Sequence, residues 1–328
     1  MSADATASRP PVVVITGPTA SGKTELAIEI AERFDGEVVN ADSMQVYRDL
    51  DVGTAKPSLA QRARVPHHML DVVAPDAPYN AGLYQRDARK VARQIFSRQK
   101  IPVLTGGTGL YIRAFLEGLL ATGSADPELR KALEAEHARA VAAGDLERLH
   151  RRLQVSDPAA AAKIHPNDSR RVIRALELGE QGELASKRRS LHGFQDRPFR
   201  AVHFAIDPGR EALNARIDER CRQMIEGGLL AEARALRERG YGPELRPLQS
   251  IGYRHMAAVV DGHDTLAHAL EEMQRDTRRF ARRQRTWLRK VPDVIWHKPE
   301  DTEAIFTRIE AFLLETRDDE KNSDDGSE

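Results

Sequence analysis

The chain has 328 residues, 41% hydrophobic and 30% charged, which is ordinary globular usage and excludes disorder throughout. Its 50 lysine and arginine residues balance 50 aspartate and glutamate residues, so any surface that attracts nucleic acid or a membrane must be local. A single cysteine, Cys221, excludes an internal disulfide and favours a reducing compartment, which we expect to be the cytoplasm. Every apolar stretch is interrupted by charge well short of the roughly 20 residues that span a membrane, so we expect no membrane partner.

The first predicted unit is a strand, a helix and a second strand. Residues 12–15 form a β-branched run that ends in glycine, which is typical of a buried strand in a parallel sheet. Apolar residues recur at helical period in 25–33, and residues 37–40 predict the next strand. A further unit follows, with a helix at 81–99 and a strand at 101–104. These βαβ units predict a doubly wound parallel sheet.

The composition changes near residue 121, where a long stretch rich in alanine, leucine, glutamate and arginine predicts an inserted helical domain. Strand alternation returns at 199–206, and three helical segments follow it, at 210–226, 229–239 and 266–290. The predicted divisions are a first core segment at 1–120 with disordered residues 1–11, an inserted helical domain at 121–198, a second core segment with basic helices at 199–316, and an acidic disordered tail at 317–328.

The strongest motif is a complete phosphate-binding loop between the first strand and the first helix. Its residues are Gly17, Pro18, Thr19, Ala20, Ser21, Gly22, Lys23 and Thr24. The glycines let backbone N–H groups close around a diphosphate, Lys23 adds a positive charge, and the Thr24 hydroxyl can hold Mg²⁺. The alternative is a chance glycine-rich turn, which the position between a strand and a helix disfavours. The expected fold class is α/β, a P-loop NTPase-like doubly wound parallel sheet with an inserted helical domain.

Asp42 directly follows the second predicted strand, at the edge of the sheet where doubly wound folds bind ligands. A carboxylate at this position can accept a proton from a substrate. Asp42 could equally be the N-cap of a helical turn, which would need no catalytic role. The spacing alone leaves both interpretations open.

Further motifs recur in the order found in one enzyme family. They are Asp42-Ser43-Met44-Gln45, Gly53-Thr54-Ala55-Lys56-Pro57, Gly106-Gly107-Thr108-Gly109, Arg170-Arg171-Val172-Ile173-Arg174, Ile251-Gly252-Tyr253 and Arg283-Gln284-Arg285-Thr286-Trp287. Together with the phosphate loop, they make the chain resemble the tRNA dimethylallyltransferases over about residues 12–296.

The resemblance implies transfer of a dimethylallyl group from dimethylallyl diphosphate to N6 of adenosine 37, in tRNAs that read codons beginning with U. It implies that Asp42 is the base that accepts the N6 proton. Lys23, Thr24 and Arg220 would stabilise the departing diphosphate, with Mg²⁺ as the cofactor. Arg216 precedes Arg220 by one helical turn and is expected to stay outside the site, although on spacing alone both arginines resemble a solvated charge face.

The resemblance also implies the tRNA anticodon stem-loop as the partner of a monomeric chain. The residues expected to contact it are Asp42, Ser43, Met44, Gln45, Thr108, Arg130, Arg170, Arg171, Val172, Ile173, Arg174, Arg282 and Arg283. Gln45 could read an adenine edge with both ends of its amide, or be an exposed loop residue. Thr108 could instead cap the helix predicted at 110–119. Met44 stands where many relatives carry arginine.

The helix predicted at 266–290 carries a packing stripe of Phe280, Gln284 and Trp287. Arginines fill most of its remaining circumference, and only Asp276 offsets them, which favours a polyanionic partner over an ordinary solvated face.

Two other functions fit the phosphate loop. One is a small-molecule phosphotransferase with Lys23 on ATP and Asp42 deprotonating an acceptor hydroxyl; the other is a non-catalytic RNA-binding NTPase switch. The adjacent His67 and His68 have no third imidazole nearby, so we favour a structural or RNA-contacting role for them over a metal site.

Overall fold

The computed structural model describes residues 9–119, 126–187 and 196–324, with side chains described as far as residue 316. The strands in these ranges are β1 (Pro11–Thr16), β2 (Gly36–Asn40), β3 (His67–His68), β4 (Ile101–Gly106), β5 (Arg200–Ile206) and β6 (Val294–His297). The helices are α1 (Lys23–Arg33), α2 (Leu59–Arg64), α3 (Ala81–Ser97), α4 (Gly109–Glu117), α5 (Pro127–Ala142), α6 (Arg148–Ser156), α7 (Pro158–Ala161), α8 (Ser169–Glu180), α9 (Arg210–Glu226), α10 (Leu229–Glu238), α11 (Tyr253–Val260), α12 (Leu266–Leu288) and α13 (Thr302–Asp324).

The six strands form one parallel sheet in the order β3-β2-β4-β1-β5-β6. The strand before the phosphate loop, β1, lies between β4 and β5, with Val13 opposite Val103 on one side and Val202 on the other. The predicted α/β class with a doubly wound parallel sheet is therefore confirmed.

Both faces of the sheet are covered, as a parallel sheet requires. Val13 and Ile15 of β1 pack on the face covered by α1 and α13. The alternate residues Val12 and Val14 pack on the other face, which is covered by α3, α4 and α9 to α12. The β-branched run that signalled the strand is buried because it is sandwiched between these two layers.

The chain divides into two compact units, one made of Met1–Glu117 with Arg197–Glu328 and the other of Gly118–Asp196. The second unit contains α5 to α8 around a small core of its own, in which Leu133, Leu149 and Leu153 are buried. The domain limits given in the sequence analysis stay predictions.

Several elements were not predicted. The strands β3 and β6 lie at the two edges of the sheet and are only two and four residues long, which leaves little periodicity to detect. The helices α2, α11 and α13 were also missed. Residues 1–8 and 325–328 and the side chains from residue 317 onward lie outside the described residues, so disorder there stays a prediction. Two limits differ from those predicted, because β1 already begins at Pro11 and the backbone of α13 continues to Asp324. No helix in the described ranges is long and apolar enough to cross a membrane.

Candidate active site

The phosphate loop joins β1 to α1. The helix begins at Lys23, and its N-cap is Gly22, whose φ of +96° suits glycine. No side chain caps this helix, so the backbone N–H groups of its first turn remain available to an anionic ligand. Within the described part of the chain, the buried Ser21 Oγ has no hydrogen-bond partner. An oxygen of a bound diphosphate would supply the missing partner.

The first residues of the loop are engaged by the protein itself. Gly17 lies against β5, where a Cβ would come within 2.5 Å of the Ile206 carbonyl oxygen. The Pro18 carbonyl accepts a hydrogen bond from Lys23 Nζ at 3.2 Å. The Thr19 N–H donates to Gln284 Oε1 at 2.9 Å. The backbone N–H of Thr19, expected to contact diphosphate, is therefore already occupied, and the ligand-facing part of the loop begins after it.

Lys23, Arg220 and Asp42 come from three different elements and interact electrostatically. Burial lowers the pKa of Lys23 to about 8, with a further contribution from the charge of Arg220 and an opposing one from Asp42. Burial also lowers the pKa of Arg220 on α9, and Asp42 opposes that shift as well. Lys23, Arg220 and Asp42 are therefore close enough to influence one another electrostatically, and their catalytic roles stay predictions.

Arg216 lies one turn before Arg220 on the same helix. Its guanidinium donates to the Ser21 carbonyl oxygen at 3.5 Å, directly behind the phosphate loop. Arg216 thus contacts the backbone of the loop, and our expectation that it stays away from the diphosphate remains a prediction. The i, i+4 spacing of the two arginines was the signal that could have placed both beside the loop.

Asp42 lies in a turn that follows β2. Its Oδ1 accepts a hydrogen bond from the Met44 N–H at 2.8 Å, while its own N–H donates to Asn40 Oδ1 at 3.2 Å. The bond from the Met44 N–H is the one that a capping aspartate makes, although this turn does not continue into a helix, so the structural interpretation of Asp42 stays open beside the catalytic one. Within the described residues, no hydrogen bond engages Oδ2, which leaves that oxygen available to a substrate.

Thr108 supports the same turn from the neighbouring strand. Its hydroxyl oxygen accepts the Ser43 N–H at 2.9 Å, and its hydroxyl donates to Ser43 Oγ at 3.2 Å. The hydroxyl therefore fixes the residue next to Asp42, which differs from the helix-capping role considered above. Thr108 and Ser43 join the loop after β4 to the loop after β2.

Gln45 and Met44 complete this turn. Gln45 Nε2 donates to the carbonyl oxygens of Thr54 and Ala55 at 3.0 and 3.2 Å. Met44 is partly buried against the hydrophobic core. The bidentate contact that we expected from Gln45 needs a free N–H, and in this arrangement only Oε1 is free for a ligand.

The loop after Gln45 is fastened by Glu232 of α10, a residue that we did not predict. Its carboxylate accepts hydrogen bonds from three successive backbone N–H groups, those of Asp51, Val52 and Gly53, at 2.8 to 3.1 Å. The Tyr253 hydroxyl donates to the same carboxylate. The signal in the sequence was the pair of motifs around Gly53 and Tyr253, to which we had assigned no role.

The two adjacent histidines have structural contacts. The ring of His68 lies 2.7 Å from Glu37 Oε2, and His67 Nδ1 lies 2.8 Å from the Val65 carbonyl oxygen. Among the residues whose side chains are described, no group of three histidine, cysteine, aspartate or glutamate side chains is placed to hold a metal ion.

The RNA-contacting residues expected in the helical unit fall into three groups. Val172 and Ile173 are buried in the core of that unit, and the expectation that these residues contact RNA stays a prediction. Arg130 and Arg174 both donate to the buried Glu177. The exposed members are Arg170 and Arg171, with Arg171 3.4 Å from Asp168.

The basic face of α12 is narrower than the sequence suggested. Arg278 is paired with Asp218 of α9, and Arg285 donates to Asp207 at 2.7 Å. Both acids lie outside α12, so Asp276 is not the only residue that offsets the arginines. Arg282 and Arg283 are exposed, and Arg283 lies over the Phe280 ring. These two arginines remain the best candidates for RNA phosphate.

Comparisons with protein families agree with this arrangement. A model described as IPP transferase matches residues 45–291, and one described as isopentenyl transferase matches residues 10–67.

Similar proteins match almost the whole chain. The tRNA dimethylallyltransferase of Desulfosudis oleivorans is 47% identical over 308 residues, which cover 93% of this chain and 97% of that protein. The tRNA dimethylallyltransferase of Anaeromyxobacter dehalogenans is 48% identical over 300 residues, which cover 91% of this chain and 99% of that protein.

Two solved structures share the fold. The full-length tRNA isopentenylpyrophosphate transferase from Bacillus halodurans is 35% identical, with a TM-score of 0.68, and the match covers 96% of this chain and 98% of that one. A eukaryotic dimethylallyltransferase acting on tRNA is 29% identical, with a TM-score of 0.76, and the match covers 92% of this chain and 78% of that one.

Proposed function

This chain belongs to the IPP transferase family, and from that membership we propose that it is a tRNA dimethylallyltransferase. It transfers a dimethylallyl group from dimethylallyl diphosphate to N6 of adenosine 37, in tRNAs that read codons beginning with U. The observation that carries the proposal is the grouping of Lys23 and Arg220 with Asp42, two cations for a leaving diphosphate beside a carboxylate base.

The first requirement of this chemistry is a stabilised leaving group. The bond between the allylic carbon and the diphosphate oxygen breaks as negative charge develops on the diphosphate. The uncapped N-terminus of α1, the Lys23 ammonium and the Arg220 guanidinium are positioned to stabilise that charge. Because these cations are partly withdrawn from water, their attraction to the diphosphate is stronger than at an open surface.

The second requirement is a base. Adenine N6 is a weak nucleophile because its lone pair is delocalised into the ring, so its proton must leave as the new C–N bond forms. Asp42 Oδ2 accepts that proton, while Oδ1 keeps the turn in place through Met44. The products are the N6-dimethylallyl adenosine and free diphosphate.

The residues of the loop fit Mg²⁺ as the cofactor. Thr24 is the second residue of α1 and partly exposed, and in the described residues its hydroxyl has no hydrogen-bond partner, so it can serve as an oxygen ligand. The orphaned Ser21 Oγ fits a bound diphosphate beside it. When bound, the ion would supply further neutralisation of the leaving group.

The proposed partners are dimethylallyl diphosphate and the anticodon stem-loop of tRNA, with the chain acting as a cytoplasmic monomer. Arg282 and Arg283 on α12 and Arg170 and Arg171 in the helical unit are the exposed cations proposed to meet RNA phosphate. Gln45, Ser43 and Thr108 lie around Asp42 and are proposed to meet the target nucleotide.

One incubation separates this function from its rivals. Purified protein, labelled dimethylallyl diphosphate, Mg²⁺ and a stem-loop with adenosines at positions 36 to 38 should give labelled RNA without any nucleoside triphosphate. A phosphotransferase would instead consume ATP with a small acceptor, and a switch would hydrolyse NTP on RNA binding. Unlabelled RNA in this assay would refute the proposal.

A further inference from the structure

Gln284 is a nearly buried side chain, 8% exposed, in a helix surface otherwise rich in arginine. Its Oε1 accepts the Thr19 N–H at 2.9 Å, and its Nε2 donates to the Gly107 carbonyl oxygen at 2.9 Å. One amide therefore spans two loops that follow two neighbouring strands, β1 and β4.

The two loops serve different substrates in the proposed reaction. Thr19 belongs to the phosphate loop, which would hold the leaving diphosphate. Gly107 immediately precedes Thr108, whose hydroxyl fixes Ser43 beside Asp42. Gln284 thus joins the part of the site that holds the allylic donor to the part that holds the base and the adenosine.

The approach of Gln284 leaves no room at Gly107. A Cβ on residue 107 would lie 2.4 Å from Gln284 Nε2, so only glycine allows this hydrogen bond. The Gln284 side chain is buried, and its Oε1 and Nε2 each hold a backbone group of the protein, so it has little surface left for a substrate. Gln284 can therefore act on the reaction only through the loops that it connects.

The docking of α12 does not depend on Gln284 alone. The Trp287 ring packs against Gly109, where a Cβ would lie within 2.5 Å of it. Arg285 and Asp207 form a largely buried ion pair at 2.7 Å. Loss of the Gln284 amide would therefore remove this link between the two loops while the helix stays in place.

We propose that Gln284 is a positioning residue that fixes the phosphate loop relative to the loop carrying Thr108, and so sets the approach of the allylic carbon to adenine N6. This inference rests on the proposed function. A bond-forming step is sensitive to the alignment of its reacting atoms, whereas the affinity for each substrate alone is not. Loss of the Gln284 link should therefore lower the rate of transfer more than it lowers the affinity for either substrate.

The test compares Gln284→Leu with Gln274→Leu. Gln274 lies on the same helix, and its amide donates to the Asp218 carbonyl oxygen, away from both loops, so it controls for loss of an amide that ties α12 to a neighbour. We expect Gln284→Leu to slow single-turnover transfer at saturating substrates by roughly 10- to 100-fold. Its dissociation constants for the stem-loop and for inorganic diphosphate should stay within about threefold of wild type. Gln274→Leu should leave all three quantities unchanged.

A second variant keeps the test valid if Gln284→Leu fails to fold. Gln284→Glu has nearly the same shape and retains an acceptor for Thr19, but it places a carboxylate oxygen against the Gly107 carbonyl, so it too should slow transfer. Wild-type rates in the Gln284 variants, or losses of affinity as large as the losses of rate, would overturn the positioning role. Absence of transfer by the wild-type protein would instead refute the proposed function.

Discussion

Gln45 Nε2 donates to the Thr54 carbonyl oxygen at 3.0 Å and to that of Ala55 at 3.2 Å. Two carbonyl oxygens require the nitrogen of the amide beside them, so its orientation is fixed, and within the described residues Oε1 is left for a ligand. Gln45 can therefore recognise a hydrogen-bond donor, such as the second N–H of an adenine amino group, but not an acceptor.

This orientation gives a first prediction. Gln45→Ala should lower discrimination between an adenosine-37 stem-loop and one substituted at that position by about 2- to 10-fold, the value of a single hydrogen bond. Gln45→Glu should lower this discrimination at least as much as Gln45→Ala, because its carboxylate would face the Thr54 and Ala55 carbonyl oxygens. Relative transfer rates on the two RNAs measure the effect; full discrimination by Gln45→Glu would contradict the assigned orientation.

Asp42→Asn separates the two roles of this side chain. Asparagine keeps an oxygen for the Met44 N–H but is not a base, so turnover should fall by about 10²- to 10⁴-fold while stem-loop affinity survives. Single-turnover transfer and equilibrium RNA binding are the measurements. A loss of less than about tenfold with normal affinity would assign Asp42 to the turn alone.

Lys23 should make diphosphate binding sensitive to alkaline pH. Its pKa lies near 8 in the free protein, so the ammonium is mostly charged at pH 7 and mostly neutral at pH 9. The affinity for inorganic diphosphate should fall over this interval, by up to about tenfold relative to Lys23→Arg, whose side chain stays charged. The arginine variant also corrects for titration of the ligand itself. Parallel pH dependence in the two proteins would show that the pKa of Lys23 is not depressed.

The elements around the phosphate loop could be predicted because their signals are local. The β-branched run at β1 and the glycine motif are continuous in sequence, and the helix expected at 210–226 has the same bounds as α9. The contacts of Gln284 could not be predicted, since its two partners lie 177 and 265 residues away. Periodicity alone correctly assigned Gln284 to a packing stripe, but it does not reveal what a buried amide touches.

Ion-pair partners that are distant in sequence could not be predicted either. The partner of Arg285 is Asp207, 78 residues earlier, so a count of charges along α12 overestimates its positive potential. Val172 was expected to contact RNA because its motif resembles that of the tRNA dimethylallyltransferases, but the fold turns its side chain into the core of the helical unit.

His203 should make the protein less stable in mild acid. Burial lowers its pKa to about 4, and the Thr16 hydroxyl, which donates to the Phe204 carbonyl oxygen, accepts the hydrogen on Nε2. The unfolded chain binds a proton near pH 6.5 and the folded protein only near pH 4, so stability is lost as pH falls through this window. Between pH 7.5 and 5 the loss attributable to His203 is about 2 kcal/mol.

Urea unfolding of wild type and His203→Gln at these two pH values measures that loss. Other histidines titrate in both proteins, so the difference between their pH dependences isolates His203. If the free energy of unfolding had the same pH dependence in both proteins, protonation of His203 would not destabilise the folded state.

The salt dependence of RNA binding should identify the RNA-binding face of α12. Replacing Arg282 and Arg283 together with glutamine should weaken binding to wild-type and A37-substituted stem-loops alike. It should reduce the slope of log affinity against log salt by roughly 0.7 to 0.9 for each RNA phosphate that the variant no longer neutralises. The control replaces Arg275 and Arg279, which are paired with Glu272 and Asp276 on the same helix. A full salt slope in the Arg282 and Arg283 variant would move the RNA-binding surface to Arg170 and Arg171.

The central position of β1 has a consequence for synthesis on the ribosome. Thr16 and its bonding partner Phe204 are separated by 188 residues, so at about 5 to 20 residues per second β1 waits roughly 10 to 40 s for β5 to be made. During that interval the nascent chain carries an unpaired β-branched edge that can pair with other chains. Gly17 packs against Ile206, and the Thr19 N–H bonds to Gln284, so the phosphate loop acquires its full support only after residue 284 has been made. Slow emergence of the second half of the chain should therefore increase the demand for chaperones without exposing a functional diphosphate site.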